Sequence, residues 1–203
     1  MRSARIFIAA CLTVATAFGS AHAAGDVEAF ARSVASRAFA ITGSETAPSV
    51  DRRQRFLELI GETFDTDRAG PSLLGSYWLR AASWERQAFR RAFDTAVASV
   101  YMDRLYLYPG QTFAIDGHRD EGDDVVVQSR LTSTRGRPDV LVEWVVAQRD
   151  GDFTITDMVF NGESVNGALR REYLSVVRRN DGHLSALVDS MTRQQALLME
   201  AEC

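Results

Sequence analysis

The stretch that decides the fold class is residues 140–160, VLVEWVVAQRDGDFTITDMVF. Side chains alternate between two sets from Val140 to Gln148 and again from Phe153 to Phe160, and the pair Asp150-Gly151 separates the two runs. A period of two residues is typical of β-strands, and a short link that contains Asp-Gly joins antiparallel neighbours. This stretch therefore predicts a β-hairpin.

Two further alternating runs precede the hairpin. Thr112–Gly117 carries Phe113 and Ile115 on one side, and Val125–Ser133 alternates in the same way. Turn-forming residues follow each run, Glu121-Gly122-Asp123 after the first and residues 135–138 after the second. Such short connections indicate four consecutive strands in an antiparallel meander.

Helical periodicity flanks these strands on both sides. Apolar stripes with a period of 3.6 residues predict helices over residues 26–41 and 50–64, after Pro71, after Ser83, and on either side of Gly182. The order of helices, sheet and helices predicts an α+β fold: a four-stranded antiparallel curved sheet packed against several helices.

Composition excludes several classes of protein. The chain has 203 residues, 46% of them hydrophobic and 25% charged, and a formal net charge of −4. An acidic balance disfavours nucleic-acid binding. Every basic residue is arginine, so a P-loop lysine, a Schiff-base lysine and a Ser-Lys dyad are excluded.

The N-terminal segment has the pattern of an export signal. Arg2 and Arg5 precede an apolar run, and Ala21-His22-Ala23 supplies the small residues of a cleavage site. We therefore expect residues 1–23 to be a secretory signal peptide and residues 24–203 to form a single domain with no transmembrane segment. A lipoprotein box ending at Cys11 is a weaker alternative, because the apolar run before it is short.

Metal and nucleophile motifs are incomplete in this sequence. His118 and His183 have no second His or Cys at ligand spacing, so we expect no metal site. The segment Gly162-Glu163-Ser164 lacks the second glycine of a nucleophile elbow, and Ser164 is better interpreted as a helix N-cap. Asp116 and its acidic neighbours before residue 125 lack the spacing of a calcium loop.

Two polar features remain open at this point. Asp157 falls between Ile155 and Val159 on an apolar strand face, where it could be a pocket base or a structurally bonded carboxylate. Arginine pairs such as Arg170-Arg171 could meet an anionic headgroup or an acidic partner, or could form a solvated face.

Two groups of motifs carry a resemblance to a known family. The first is residues 74–78, LGSYW, followed by residues 83–93, SWERQAFRRAF, and then Tyr101, Leu105 and Tyr108. The second is residues 153–165, FTITDMVFNGESV, followed by Arg170, Tyr173 and Leu187. Together they resemble the MlaC / toluene-tolerance family of periplasmic phospholipid-binding proteins over almost the whole mature chain. Glu163 and Phe153 depart from the family pattern, in which an apolar residue and Trp are usual.

The resemblance implies a periplasmic carrier without enzymatic activity or cofactor. Such a carrier shuttles phospholipid between an inner-membrane ABC transporter complex and an outer-membrane lipoprotein complex, which maintains outer-membrane lipid asymmetry. The acyl chains would occupy an apolar cavity between the sheet and the helices. We expect that cavity to be lined by Phe56, Leu59, Ile60, Leu74, Tyr77, Trp78, Phe89, Phe93, Val97, Tyr101, Val127, Val142, Trp144, Ile155, Val159 and Tyr173.

Three functions remain open from the sequence. The first is this lipid carrier, with a sister group associated with hopanoid biosynthesis (the HpnM-like proteins) as a variant that carries a different lipid. The second is a small pocket enzyme of the nuclear-transport-factor-two-like fold, with Asp157 as the base. The third is a periplasmic adaptor that binds partners through its arginine-rich faces.

Overall fold

The computed structural model describes residues 20–43, 49–106, 111–133, 138–149 and 151–201. Most of the expected signal segment, including Cys11, and the terminal Cys203 lie outside these residues. The helices are α1 Ser20–Thr42, α2 Ser49–Thr63, α3 Ala69–Leu74, α4 Ser76–Arg80, α5 Ser83–Tyr106, α6 Val165–Arg179 and α7 Leu184–Ala201, with a 3₁₀ turn at Thr66–Arg68. The strands are β1 Gln111–Glu121, β2 Asp124–Ser133, β3 Val140–Arg149, β4 Asp152–Phe160 and β5 Glu163–Ser164.

The strands form one antiparallel sheet in chain order, which confirms the predicted α+β class. The short strand β5 adds to the four predicted strands. It exists because Asn161 and Gly162 have positive φ angles of 49° and 85°, the conformation of a tight hairpin turn. The chain therefore reverses at once, and Ser164 pairs with Val159.

Two irregularities bend the sheet. The pairing register shifts between Ile115 and Gly117 in β1, and between Val145 and Val146 in β3 where it faces β4. Each shift inserts one extra residue, Asp116 in β1 and Thr156 in β4. A bulge of this kind bends the strand and increases its twist. The sheet is consequently curved, and its concave inner face receives the helices.

Helices α1, α2 and α6 pack against the sheet. Helix α1 packs against β1 and β2, and α2 packs between α5 and β4. Their buried positions follow the predicted stripes: Val34 and Ala38 on α1, Phe56 and Leu59 on α2. Helices α3 and α7 pack beside α5, and α6 packs against α3, α7 and β4. Within the described part of the chain, no helix has both the length and the apolar character needed to span a bilayer.

One carboxylate joins the starts of two helices that are distant in sequence. Glu85, in the first turn of α5, accepts a hydrogen bond from the Ala82 backbone N–H at 2.9 Å. Its second oxygen accepts one from the Ser185 backbone N–H at 3.2 Å. These N–H groups have no partner within their own helices, so Glu85 satisfies one donor at each start.

Candidate functional site

An apolar cavity, called the inner cavity below, lies between the inner face of the sheet and helices α1, α2 and α5. The strand register directs alternate side chains into it, because Val142 faces Phe160 and Trp144 faces Met158 across β3 and β4. The lining consists of Val34, Ala35, Ala38, Phe39, Phe56, Leu59, Ile60, Phe64, Tyr101, Leu105, Phe113, Leu131, Val142, Trp144, Met158 and Phe160.

The inner cavity is narrow in this structure. The volume open to the centre of a water molecule is about 30 Å³. A single water needs roughly 10–15 Å³ by the same measure, and ligand pockets have about 300–1,000 Å³. The two layers are therefore closed on each other, and an apolar ligand would have to separate them.

A buried hydrogen-bond chain fixes one wall of the inner cavity. The Trp144 indole N–H donates to the Ser129 hydroxyl at 2.9 Å, and that hydroxyl donates to the Val142 carbonyl at 2.9 Å. Ser129 is 2% exposed and Trp144 is 5% exposed. A buried indole N–H needs such a partner, and the contact sets the orientation of the ring. Ser129 was not among the predicted residues, because it reads as an ordinary polar position in an alternating strand.

A second and wider space, called the outer pocket below, opens beside the inner cavity. Its volume is about 610 Å³. Apolar side chains from α5 and β4 form one part of the lining, including Phe93, Val97 and Ile155, and polar groups such as Thr66 and Asn166 form another. Such a lining suits a molecule with one apolar and one polar part.

The inner cavity and the outer pocket meet at two aromatic rings. Phe64 and Tyr101 line both spaces, and their ring centroids are 5.0 Å apart. The backbone at Phe64 is fixed, because its N–H donates to the Ile60 carbonyl at 2.8 Å and the Asp65 N–H donates to the Ile155 carbonyl at 3.0 Å.

Asp157, which lies at the edge of the outer pocket, is bonded on both oxygens. Oδ1 accepts from the backbone N–H groups of Met158 at 2.8 Å and Asn166 at 3.0 Å, and Oδ2 accepts from the Ser164 hydroxyl at 2.5 Å. Ser164 also accepts from the Gly167 N–H at 2.8 Å, which confirms it as the N-cap of α6. These are the contacts of a carboxylate that anchors a helix start to a strand.

Comparison with known proteins decides the family. A family model described as "MlaC protein" matches residues 32–193. The chain belongs to the MlaC family. A curated relative from Haemophilus influenzae, the "Intermembrane phospholipid transport system binding protein MlaC", is 26% identical over 101 residues, which are 48% of this chain and 47% of the relative. The chain thus matches about half the length of that MlaC protein.

A solved structure shares the MlaC-family fold of this chain. It is described as the phospholipid-binding protein from Ralstonia solanacearum in complex with a phospholipid, and it superposes with a TM-score of 0.68. The match covers 84% of this chain and 97% of that chain at 19% sequence identity. At this identity the likeness is one of fold.

The structure places the predicted lining residues in several different regions. Phe56, Leu59, Ile60, Tyr101, Val142 and Trp144 line the inner cavity, and Phe93, Val97, Ile155 and again Tyr101 line the outer pocket. Tyr173 lines a separate groove beside α7. Neither of the first two spaces is lined by Leu74, Tyr77, Trp78, Phe89, Val127 or Val159.

The bulge at Thr156 explains the position of Val159. Strict alternation from Ile155 would put Asp157 and Val159 on the inner face. The extra residue reverses that phase, so Val159 pairs with Glu143 on the outer face, and Met158 and Phe160 face inward. The inner-facing residues of α1 were also absent from the predicted lining, although their helical stripe is evident in the sequence.

Two of the remaining predicted residues, Trp78 and Phe89, pack in solid protein against Phe93 and Tyr173. Trp78, Phe89, Phe93 and Tyr173 form an aromatic cluster, in which Phe89 lies 5.7 Å from Trp78, 5.5 Å from Phe93 and 6.0 Å from Tyr173 between ring centroids. Burial raises the pKa of the Tyr173 phenol above its ordinary value, so it stays protonated. This aromatic cluster is part of the core.

The other polar features have structural partners. His118 lies 2.8 Å from the Glu28 carboxylate of α1, and the part of the chain that the structure describes contains no group of three potential metal ligands. Arg171 pairs with Glu163 at 3.3 Å, and Arg170 donates to the Ser72 carbonyl.

Proposed function

We propose that this chain is a periplasmic lipid-binding carrier that shuttles phospholipid between inner- and outer-membrane complexes and thereby helps to maintain outer-membrane lipid asymmetry. One observation carries the proposal: an apolar space between sheet and helices adjoins, at two shared aromatic rings, a half-polar outer pocket. That sequence of environments matches the order of acyl chain, glycerol and headgroup in a phospholipid.

The energetics of lipid transfer require such a space. Moving one methylene from hydrocarbon to water costs about 0.8 kcal/mol, so two chains of about 15 methylenes would cost on the order of 20 kcal/mol. A carrier removes this barrier by offering apolar surface comparable to the bilayer. Val97 and Ile155 line the outer pocket but are each at most 2% exposed, so a bound lipid would have to displace their neighbours to use this apolar surface.

The relatives support the same role. The Haemophilus influenzae protein is named for intermembrane phospholipid transport, and the Ralstonia solanacearum structure contains a phospholipid. Export of this chain, with cleavage after Ala23 and a periplasmic domain from residue 24 onward, belongs to the proposal. So do its partners, an inner-membrane ABC transporter complex and an outer-membrane lipoprotein complex.

The contacts of Asp157 weigh against the enzyme alternative. A general base needs a free oxygen within reach of the substrate proton. Both Asp157 oxygens already accept hydrogen bonds from the start of α6 or from β4. These structural contacts therefore explain why a carboxylate lies at this position, and the carrier proposal needs no catalytic residue.

Lipid analysis tests the proposal directly. Protein purified from periplasm without detergent is extracted with organic solvent, and the extract is identified by mass spectrometry. We expect phospholipid in near-stoichiometric amount. A hopanoid would identify the alternative ligand, and purified protein that neither contains nor takes up lipid from vesicles would refute the carrier.

A matched pair of variants locates the lipid. Val97 lines the outer pocket, whereas Val100, one turn away on α5, lines the groove beside α7. We expect Val97→Phe to remove most of the bound lipid and Val100→Phe to retain it, with both variants folded by circular dichroism. Equal lipid content in the two variants would contradict the assignment of the outer pocket.

A further inference from the structure

The inner cavity and the outer pocket adjoin at a shared pair of rings. Among the described residues, only Phe64 and Tyr101 line both the inner cavity and the outer pocket. An acyl chain that extends from the outer pocket into the inner cavity at this point would pass between or beside these rings. The ring pair is therefore positioned to limit the depth of entry.

Phe64 and Tyr101 differ in their freedom to move. Tyr101 is 4% exposed, and Phe160 lies behind it at 6.4 Å between ring centroids. Phe64 is only partly buried and borders the wide outer pocket, so its ring has space to rotate. The hydrogen bonds of the backbone at Phe64 and Asp65 hold the main chain, and movement is confined to the side chain.

The two spaces also differ in what they can accept. The outer pocket already has about 610 Å³, whereas the inner cavity has about 30 Å³ and an apolar lining. Only hydrocarbon gains from entering the inner cavity, and only a chain long enough to pass the ring pair can do so. Each methylene that is buried in the inner cavity instead of being left in water raises the retention of a lipid by about fourfold.

We propose that Phe64 is the residue that determines acyl-chain selectivity, because its ring closes the passage from the outer pocket to the inner cavity. The proposal rests on the proposed carrier function. Phospholipids with short chains are held in the outer pocket with the ring closed, and longer chains must displace the ring. The size of residue 64 thus sets the chain length that the protein retains.

The test uses three variants and one mixture of lipids. Wild type, Phe64→Ala, Phe64→Trp and Phe30→Ala are incubated with vesicles of phosphatidylglycerol species that share the headgroup and differ in chain length. Retained lipid is measured by mass spectrometry, and thermal unfolding verifies that each variant folds. Phe30 is the matched control, because it is partly buried, packs against Phe153 at 5.7 Å between ring centroids, and lines neither the inner cavity nor the outer pocket.

The expected shifts have opposite signs. Phe64→Ala should raise the retention of long over short chains by roughly fifteenfold for two methylenes, and Phe64→Trp should reverse the preference. Phe30→Ala should keep the wild-type distribution. Equal shifts for Phe30→Ala and Phe64→Ala would overturn the proposal, since the loss of a phenyl ring anywhere in the protein would then explain them. So would loaded proteins with identical distributions. A wild type that takes up no phospholipid would instead refute the carrier function itself.

Discussion

The aromatic cluster and the inner cavity are made of similar side chains but are filled to different degrees. In the cluster, the ring of Trp78 occupies all the space next to Gly70, where a Cβ atom would lie 2.6 Å from the ring. In the inner cavity, the small side chains of Ala35 and Ala38 and large rings such as Phe56 line the same narrow space. Because a small residue lies near a large ring in both regions, the presence of a cavity depends on how closely the facing elements approach. Hydrophobicity alone does not determine it.

The largest difference between the two regions is expected for substitutions that add atoms to each of them. Gly70→Ala pushes a methyl group into a rigid ring and should lower the free energy of unfolding by about 3 kcal/mol. Ala38→Val adds its methyl groups toward the inner cavity and should change that free energy by less than about 1 kcal/mol. Urea unfolding of lipid-free protein measures both. Similar losses would mean that the inner cavity is as tightly packed as the cluster.

A smaller effect tests the wall of the inner cavity. Ser129→Ala removes the acceptor of the buried Trp144 N–H, and an unsatisfied buried donor costs about 2 kcal/mol. Thr132→Ala, at an exposed position on the same strand, is the control and should be nearly neutral. Urea unfolding separates the two. A neutral Ser129→Ala would show that the indole finds another partner and that the wall is adaptable.

The smallest effect concerns a carboxylate next to the aromatic cluster. Burial raises the pKa of Asp94 above its ordinary value of 3.8, which a hydrogen bond with Thr66 partly offsets, and Oδ1 has no partner among the described residues. The stabilising contribution of Asp94 is present below the unfolded pKa and is lost as the pH rises through the folded value. Asp94→Asn should therefore be more stable than wild type at neutral pH, by less than about 1 kcal/mol, and should lose that advantage near pH 3. A constant difference across this range, measured by urea unfolding, would contradict burial as the cause.

Much of the fold could be predicted from the sequence because periodicity reports which side chains face inward. The alternation of Phe113 and Ile115, of Val142 and Trp144, and the stripe on α5 all place residues correctly. The bulge at Thr156 could not be predicted, because nothing in Thr-Ile-Thr-Asp-Met-Val distinguishes an inserted residue from a regular one. The family assignment came from motif order and spacing, and the family match confirms it.

The candidate site could be predicted only in part. Phe56 and Trp144 belong to strong apolar patterns, and the structure puts both at the inner cavity. Trp78 and Phe89 have patterns just as strong, yet they pack in the solid cluster. A pattern on one element does not say how far the facing element lies, and that distance decides whether an inward side chain lines a space or fills one. The lining residues stay predictions until lipid is located.

The two hydrogen bonds of Glu85 bear on the order in which parts of the chain fold. They join the start of α5 to Ser185, a residue 100 positions later. The N-terminal helices and the strands precede α7 in the chain. Formation of such a distant contact is slow compared with local ones. We therefore expect the contact between α5 and α7 to form last, and a chain that stops before α7 would keep the Ala82–Glu85 contact but leave the side of α5 that packs on α7 exposed to proteases.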